Sequence, residues 1–95
     1  MGVRTMSTPS KVHLDFVKQP IGQKPPSKLP GIGPVIETNL KGAGITRAYH
    51  ILGMFLYLDK DLAAFTSWLK RFGANGGHCQ ACFNALIEWY QNHMA

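Results

Sequence analysis

Ninety-five residues bound one small domain with a modest core, a size at which self-association is a common source of extra stability. Hydrophobic residues make up 45% and charged residues 16%, which excludes a disordered chain, and the apolar runs fall short of the ~18 residues of a membrane span, so no direct membrane insertion is expected. The net charge of +5 is one-sided: Arg4, Lys11, Lys18, Lys24, Lys28, Lys41 and Arg47 face only Asp15 and Glu37 in residues 1–58, whereas the rest is balanced, and a basic half points to an anionic partner.

In chain order, residues 1–7 read as a flexible tail. Met1-Gly2 resembles a myristoylation start, but Met6 stands where Ser or Thr is needed, and Met6 is a second candidate start. The tail also lacks the apolar segment of a signal peptide. Thr8-Pro9 reads as a helix cap with Pro at the first helical position, opening a helix to about Lys18 with Val12, Phe16 and Val17 apolar. Pro20, Gly22, Pro25 and Pro26 then impose an extended connection.

Leu29-Pro30-Gly31-Ile32-Gly33-Pro34 follows. Two glycines around one apolar residue make a sharp turn, and Pro34 suits a helix start. The amides at that start form a seat for an anion. The second helix spans Pro34 to about Leu40, stopped by Gly42 and Gly44 in the place of left-handed caps. Thr46 is the expected cap of a third helix to about Leu58, apolar nearly all round and so buried on several sides. Gly53 in its middle costs roughly 1 kcal/mol relative to Ala, which close packing of another backbone would explain. Asp59 and Asp61 start a fourth helix with Leu62, Phe65, Leu69 and Phe72 at helical spacing. A fifth runs from about His78 to His93. The expected fold is therefore all-α, a compact bundle of five or six short helices, with residues 8–95 as a single domain.

The glycine turn between helices, with Ile32 as an apolar plug, has the form of a helix-hairpin-helix, whose amides hold a DNA phosphate without reading sequence. A plain tight turn is the competing explanation. A Rossmann or P-loop site is not supported, because no strand precedes the glycines and no Gly-Lys-Ser/Thr follows. His78-Cys79-x-x-Cys82 supplies at most three metal ligands, and His13, His50 and His93 are not suitably spaced to complete a site, so no metal and no cofactor are expected. Two cysteines at this spacing cannot staple the domain, which favours a reduced, intracellular setting. The cysteine pair reads as core Cys82 beside a partly exposed Cys79, whose thiol the helix start would acidify. Five scattered acids and no nucleophile–base set leave no catalytic residues, so no enzyme is expected. Trp68 and Trp89 read as core or interface.

The ordered set His13-x-Asp15-Phe16-Val17, Pro20-x-Gly22-x-Lys24-Pro25, Leu29-x-Gly31-Ile32-Gly33, Gly44, Ala48-Tyr49, Leu52-Gly53-x-Phe55-Leu56, Trp68-Leu69-Lys70, Gly73-Ala74-Asn75, Cys82-Phe83 and Leu86-x-Glu88-Trp89 resembles the barrier-to-autointegration factor family. It spans about Ser10 to Trp89, with one small deletion before Gly73. The resemblance implies a symmetric homodimer with one helix-hairpin-helix per subunit, bridging two double-stranded DNA duplexes in chromatin and at the nuclear envelope. It also implies binding to LEM-domain inner nuclear membrane proteins and to lamins, and a nuclear location with a cytoplasmic pool.

Carried over by position, the implied DNA contacts are Ser10, Lys11, Val12, Gly31, Ile32, Gly33, Val35, Gly76 and Gly77. The implied LEM groove draws on Gly53, Tyr57, Leu58 and Ala64, and the phosphorylation positions are Thr8 and Ser10. Cations of the family pattern fall on Val12 and Gly77 here, which weakens the electrostatic part of DNA binding. That departure motivates an alternative, a dimeric LEM-binding adaptor with weak or lost DNA binding. A glycosylase-like enzyme is a distant third, since the chain is too short to build a base pocket. Gly31→Glu is expected to block the phosphate seat and leave the fold helical.

Overall fold

The first helix, α1 (Lys11–Lys18), begins where Ser10, extended at φ −67° and ψ 163°, turns its hydroxyl onto the amide of His13. The structure, a computed structural model, describes residues 10–95. The 1–7 tail, Thr8 and Pro9 lie outside that range, and the cap expected at Thr8 is supplied by Ser10, whose extended backbone places the helix start after it. Phe16 and Val17 are the buried face of α1.

The connection expected to be wholly extended contains a 3-10 turn, Pro26–Lys28. Its start is pinned from outside: Glu37 Oε2 accepts the Ser27 amide at 3.1 Å. The turn Leu29–Gly33 leads into α2 (Pro34–Gly42), with Gly44 left-handed at φ 86° just beyond it. The start of α3 (Ala48–Tyr57) differs from expectation in its cap. Arg47, not Thr46, holds the cap position, and the His50 ring reaches back to accept the Thr46 and Arg47 amides at 3.1 and 3.3 Å.

Asp59 and Lys60 both turn left-handed, at φ 61° and 57°, a conformation uncommon outside glycine. Asp61 then caps α4 (Leu62–Lys70) through the Ala64 amide. Asn75 caps α5 (Gly76–His93), which starts two residues earlier than the expected His78.

The longest helix, α5, is the spine, packed between α1 and α4. Its side chains satisfy the carbonyls that α1 leaves open at its end: Trp89 Nε1 donates to Gln19 O at 2.8 Å and Asn92 Nδ2 to Val17 O at 3.1 Å. His13 of α1 meets Glu88 of α5 at 2.8 Å. Among the described residues no polar or charged side chain is buried; the core is apolar and includes both tryptophans. At its centre Phe55, fully buried, meets Phe65 and Phe83 edge-on at 6.0 and 5.5 Å. Truncating such a ring removes its burial and leaves a cavity. Phe55→Ala is therefore expected to lower unfolding free energy by about 3–5 kcal/mol, read from the midpoint of a denaturant titration followed by helical circular dichroism. A loss under about 1 kcal/mol would contradict this placement of the core.

Candidate nucleic-acid interface

Three helix starts converge on one shallow groove of about 420 Å³. Ser10 comes from the head of α1, Leu29 to Gly33 from the turn before α2, and His78 with Ala81 from the first turns of α5; Val12 and Ser27 complete the lining. Each wall has a local cause. Ser10 is held by its cap bond to His13. Ile32 is 4% exposed, the apolar plug that fixes the turn to the core.

Gly31 has no alternative residue. Its φ of +84° favours glycine, and a Cβ there would overlap the carbonyl oxygen of His78 and lie 3.1 Å from that residue's Cα and carbonyl carbon. The turn is thus docked, backbone against backbone, on the first turn of α5. This corrects the expectation for Gly31→Glu, because a side chain at 31 collides with α5 before it can reach a ligand.

Gly33 is different. It is the cap residue of α2, extended at φ −88° and ψ −176°, and a Cβ there meets no heavy atom of the described residues within 4 Å. The caps of α1, α4 and α5 use side chains of Ser10, Asp61 and Asn75. The start of α2 has no side-chain cap. Its first-turn amides therefore face outward with the positive end of the helix behind them, the arrangement that receives an anion. The Ile32 amide is already given to Leu29 O at 3.2 Å, so Gly33 and the residues after Pro34 supply the open donors.

The remaining expected contacts fall around this groove rather than in it. Lys11 follows Ser10 on the outer face of α1 and pairs with Asp15 at 3.2 Å. Val35, 71% exposed, stands at the second position of α2. Gly76 and Gly77 are the exposed first residues of α5, directly before His78. Among the described residues the groove lining holds neither Lys nor Arg, although the basic excess lies in this half of the chain.

The positions expected to receive a second protein lie elsewhere, on α3 and α4. Tyr57 is 80% exposed, Gly53 is exposed, and Leu58 and Ala64 are half-buried. Nothing among the described residues crowds Gly53, so the close packing expected there does not come from them.

The cysteine expectation holds for Cys82, which lies in the core, and is corrected for Cys79, which is not partly exposed. Both Cys79 and Cys82 are buried, and burial pushes the Cys79 thiol up, opposed by nearby Lys70. Desolvation prevails because the sulfur is buried, with Thr66 O 3.8 Å away. Among the described residues no group of three or more His, Cys, Asp or Glu could hold a metal.

The groove residue that the sequence did not reveal is His78, considered there only beside Cys79. The available signal was its place three residues after Asn75, the spacing of a reciprocal cap. The structure has that cap: the His78 amide donates to Asn75 Oδ1 at 2.8 Å, and His78 Nδ1 accepts the Asn75 amide at 3.2 Å.

Comparison with known proteins places the chain in a family. Residues 6–93 match the family described as Barrier to autointegration factor. The chain is 46% identical over 83 residues to the barrier-to-autointegration factors of Mus musculus and Homo sapiens, covering 86% of this chain and 93% of each relative. It is 41% identical over 90 residues to Barrier-to-autointegration factor 1 of Caenorhabditis elegans, covering 94% of this chain and all of the relative.

Proposed function

The chain belongs to the barrier-to-autointegration factor family, and on that footing we propose that it is a non-enzymatic homodimer that grips and bridges double-stranded DNA without reading its sequence. The observation that carries this proposal is the uncapped start of α2, set behind a glycine turn and flanked by Ser10 and His78. The 3-10 turn, the glycine turn and α2 together act as the helix-hairpin-helix. A phosphate oxygen sits over Gly33 and the amides after Pro34, while Lys11 supplies charge from the rim. Phosphates are alike at every base pair, so such a grip is indifferent to sequence.

Gly53, Tyr57, Leu58 and Ala64, the first two of them exposed, form across the dimer seam a groove for LEM-domain inner nuclear membrane proteins; lamins are further partners. The protein works in chromatin and at the nuclear envelope, with a cytoplasmic pool. No described helix is long and apolar enough to cross a membrane. A phosphate on Ser10 would bring roughly −2 charge into the groove and release DNA; Thr8, the other modification position, lies outside the described residues.

A salt series tests the proposal. Random and A/T-rich duplexes should compete equally, and log affinity should fall linearly with log salt. Lys11→Ala should reduce that slope by about one unit. Light scattering should give twice the chain mass without DNA. The absence of Lys and Arg from the groove lining among the described residues favours one alternative, a LEM-binding dimer with little DNA affinity. In that case the mass doubles, yet no complex forms at the lowest salt.

A further inference from the structure

His78 occupies an unusual position in the groove. Among the described residues it is the only titratable one in the lining, and its backbone is the surface on which Gly31 docks. Its ring is also committed. A backbone N–H can only donate, so the Asn75 amide at 3.2 Å requires a lone pair on His78 Nδ1. In the neutral ring the hydrogen then lies on Nε2. A second proton could go only to Nδ1, where it would displace the cap. The cap thus fixes the ring's tautomer and orientation on a residue that lines the groove.

Within the same groove, Ser10 and Ser27 offer hydroxyls that can rotate, whereas His78 Nε2–H is a donor with a set direction. On the α5 side, Gly76 and Gly77 bring no side chain that could substitute for it. We infer that His78 donates Nε2–H to a DNA phosphate oxygen, so that the α5 wall holds the backbone through a fixed, uncharged hydrogen bond instead of a lysine or arginine charge. This rests on the proposed DNA grip and adds a recognition residue to it. An uncharged donor releases no counterion, so it contributes affinity without adding to the salt slope.

A matched control exists in the same chain. His50 caps α3 by the same device, its Nδ1 accepting the Thr46 and Arg47 amides, and it lies outside the groove lining. In the full-length 15N-labelled protein, long-range 1H–15N spectra should show both rings with hydrogen on Nε2. Titration with a duplex oligonucleotide should then shift His78 Nε2 and leave His50 in place.

Two substitutions separate recognition from folding. Glu and Gln at this helix position both reach back to the cap amide, so either variant should unfold within a few degrees of wild type. His78→Gln retains an N–H to offer and should bind duplex within about threefold of wild type with an unchanged salt slope. His78→Glu has no donor and a repelling charge, and should bind at least ~tenfold more weakly. The inference fails if the free ring carries its hydrogen on Nδ1, if DNA binds but leaves His78 Nε2 unmoved, or if His78→Glu binds like wild type. Should wild type form no complex with duplex at low salt, the DNA grip itself falls and the inference with it.

Discussion

Gly31→Ala is expected to destabilise the fold by about 3 kcal/mol, the sum of a left-handed backbone strain and an overpacking penalty, each of order 1–3 kcal/mol. The cause is local and double. At φ +84° an L side chain is strained, and the added carbon would overlap the carbonyl of His78. Neither neighbour can yield easily, because the carbonyl belongs to helical backbone in the first turn of α5. The turn must then lift away from α5, taking the 4%-exposed Ile32 out of its socket. A denaturant titration gives the magnitude, and amide hydrogen exchange should show the loss concentrated in residues 29–36 and 75–80. A change below about 1 kcal/mol would mean that the turn does not dock on α5 as described. Any loss of DNA binding in this variant reports a displaced turn, not a blocked seat, and Gly31→Glu carries the same ambiguity.

Gly33→Asp isolates the seat. The cap residue of α2 is extended and has open space for a side chain, and Asp is a favoured helix cap that complements the helix dipole. Unfolding free energy should therefore stay level or rise by a few tenths of a kcal/mol. The same carboxylate takes the amides proposed for the phosphate and sets like charge against it, worth a few kcal/mol at contact distance near a protein surface. Duplex affinity should fall at least ~tenfold. Binding that survives intact in a stable Gly33→Asp protein would remove α2 from the interface and leave the adaptor as the better account. The opposed signs of the two effects, on stability and on affinity, distinguish this from ordinary damage to the fold.

Much of the architecture was legible in residue pattern. Leu62, Phe65, Leu69 and Phe72 recur at helical spacing, and all four fall in or just beyond α4. Asp61 is the cap its position suggested, Gly44 takes the left-handed turn, and Ile32 is the buried plug. Such features depend on a few neighbouring residues, whose preferences are intrinsic. The cap expected at Thr46 falls on Arg47, because the His50 ring offers another local partner, and α1 takes its cap from Ser10; Thr8 and Pro9 lie outside the described residues. The 3-10 turn was invisible because Glu37, ten residues on, holds its first amide.

The sequence by itself determined the helices, the plugged glycine turn and the family, since local periodicity, turn chemistry and ordered similarity all reside in the chain. Only the tertiary structure decided which helix starts meet and what each glycine does. Gly31 and Gly33 look equivalent in the sequence, yet one is sealed against His78 and the other stands open. Burial raised the Cys79 thiol, where the helix start alone would have lowered it. The same first turn of α5 brought His78 to the groove. Each outcome depends on distance through space between residues tens of positions apart, a quantity that local preference does not encode.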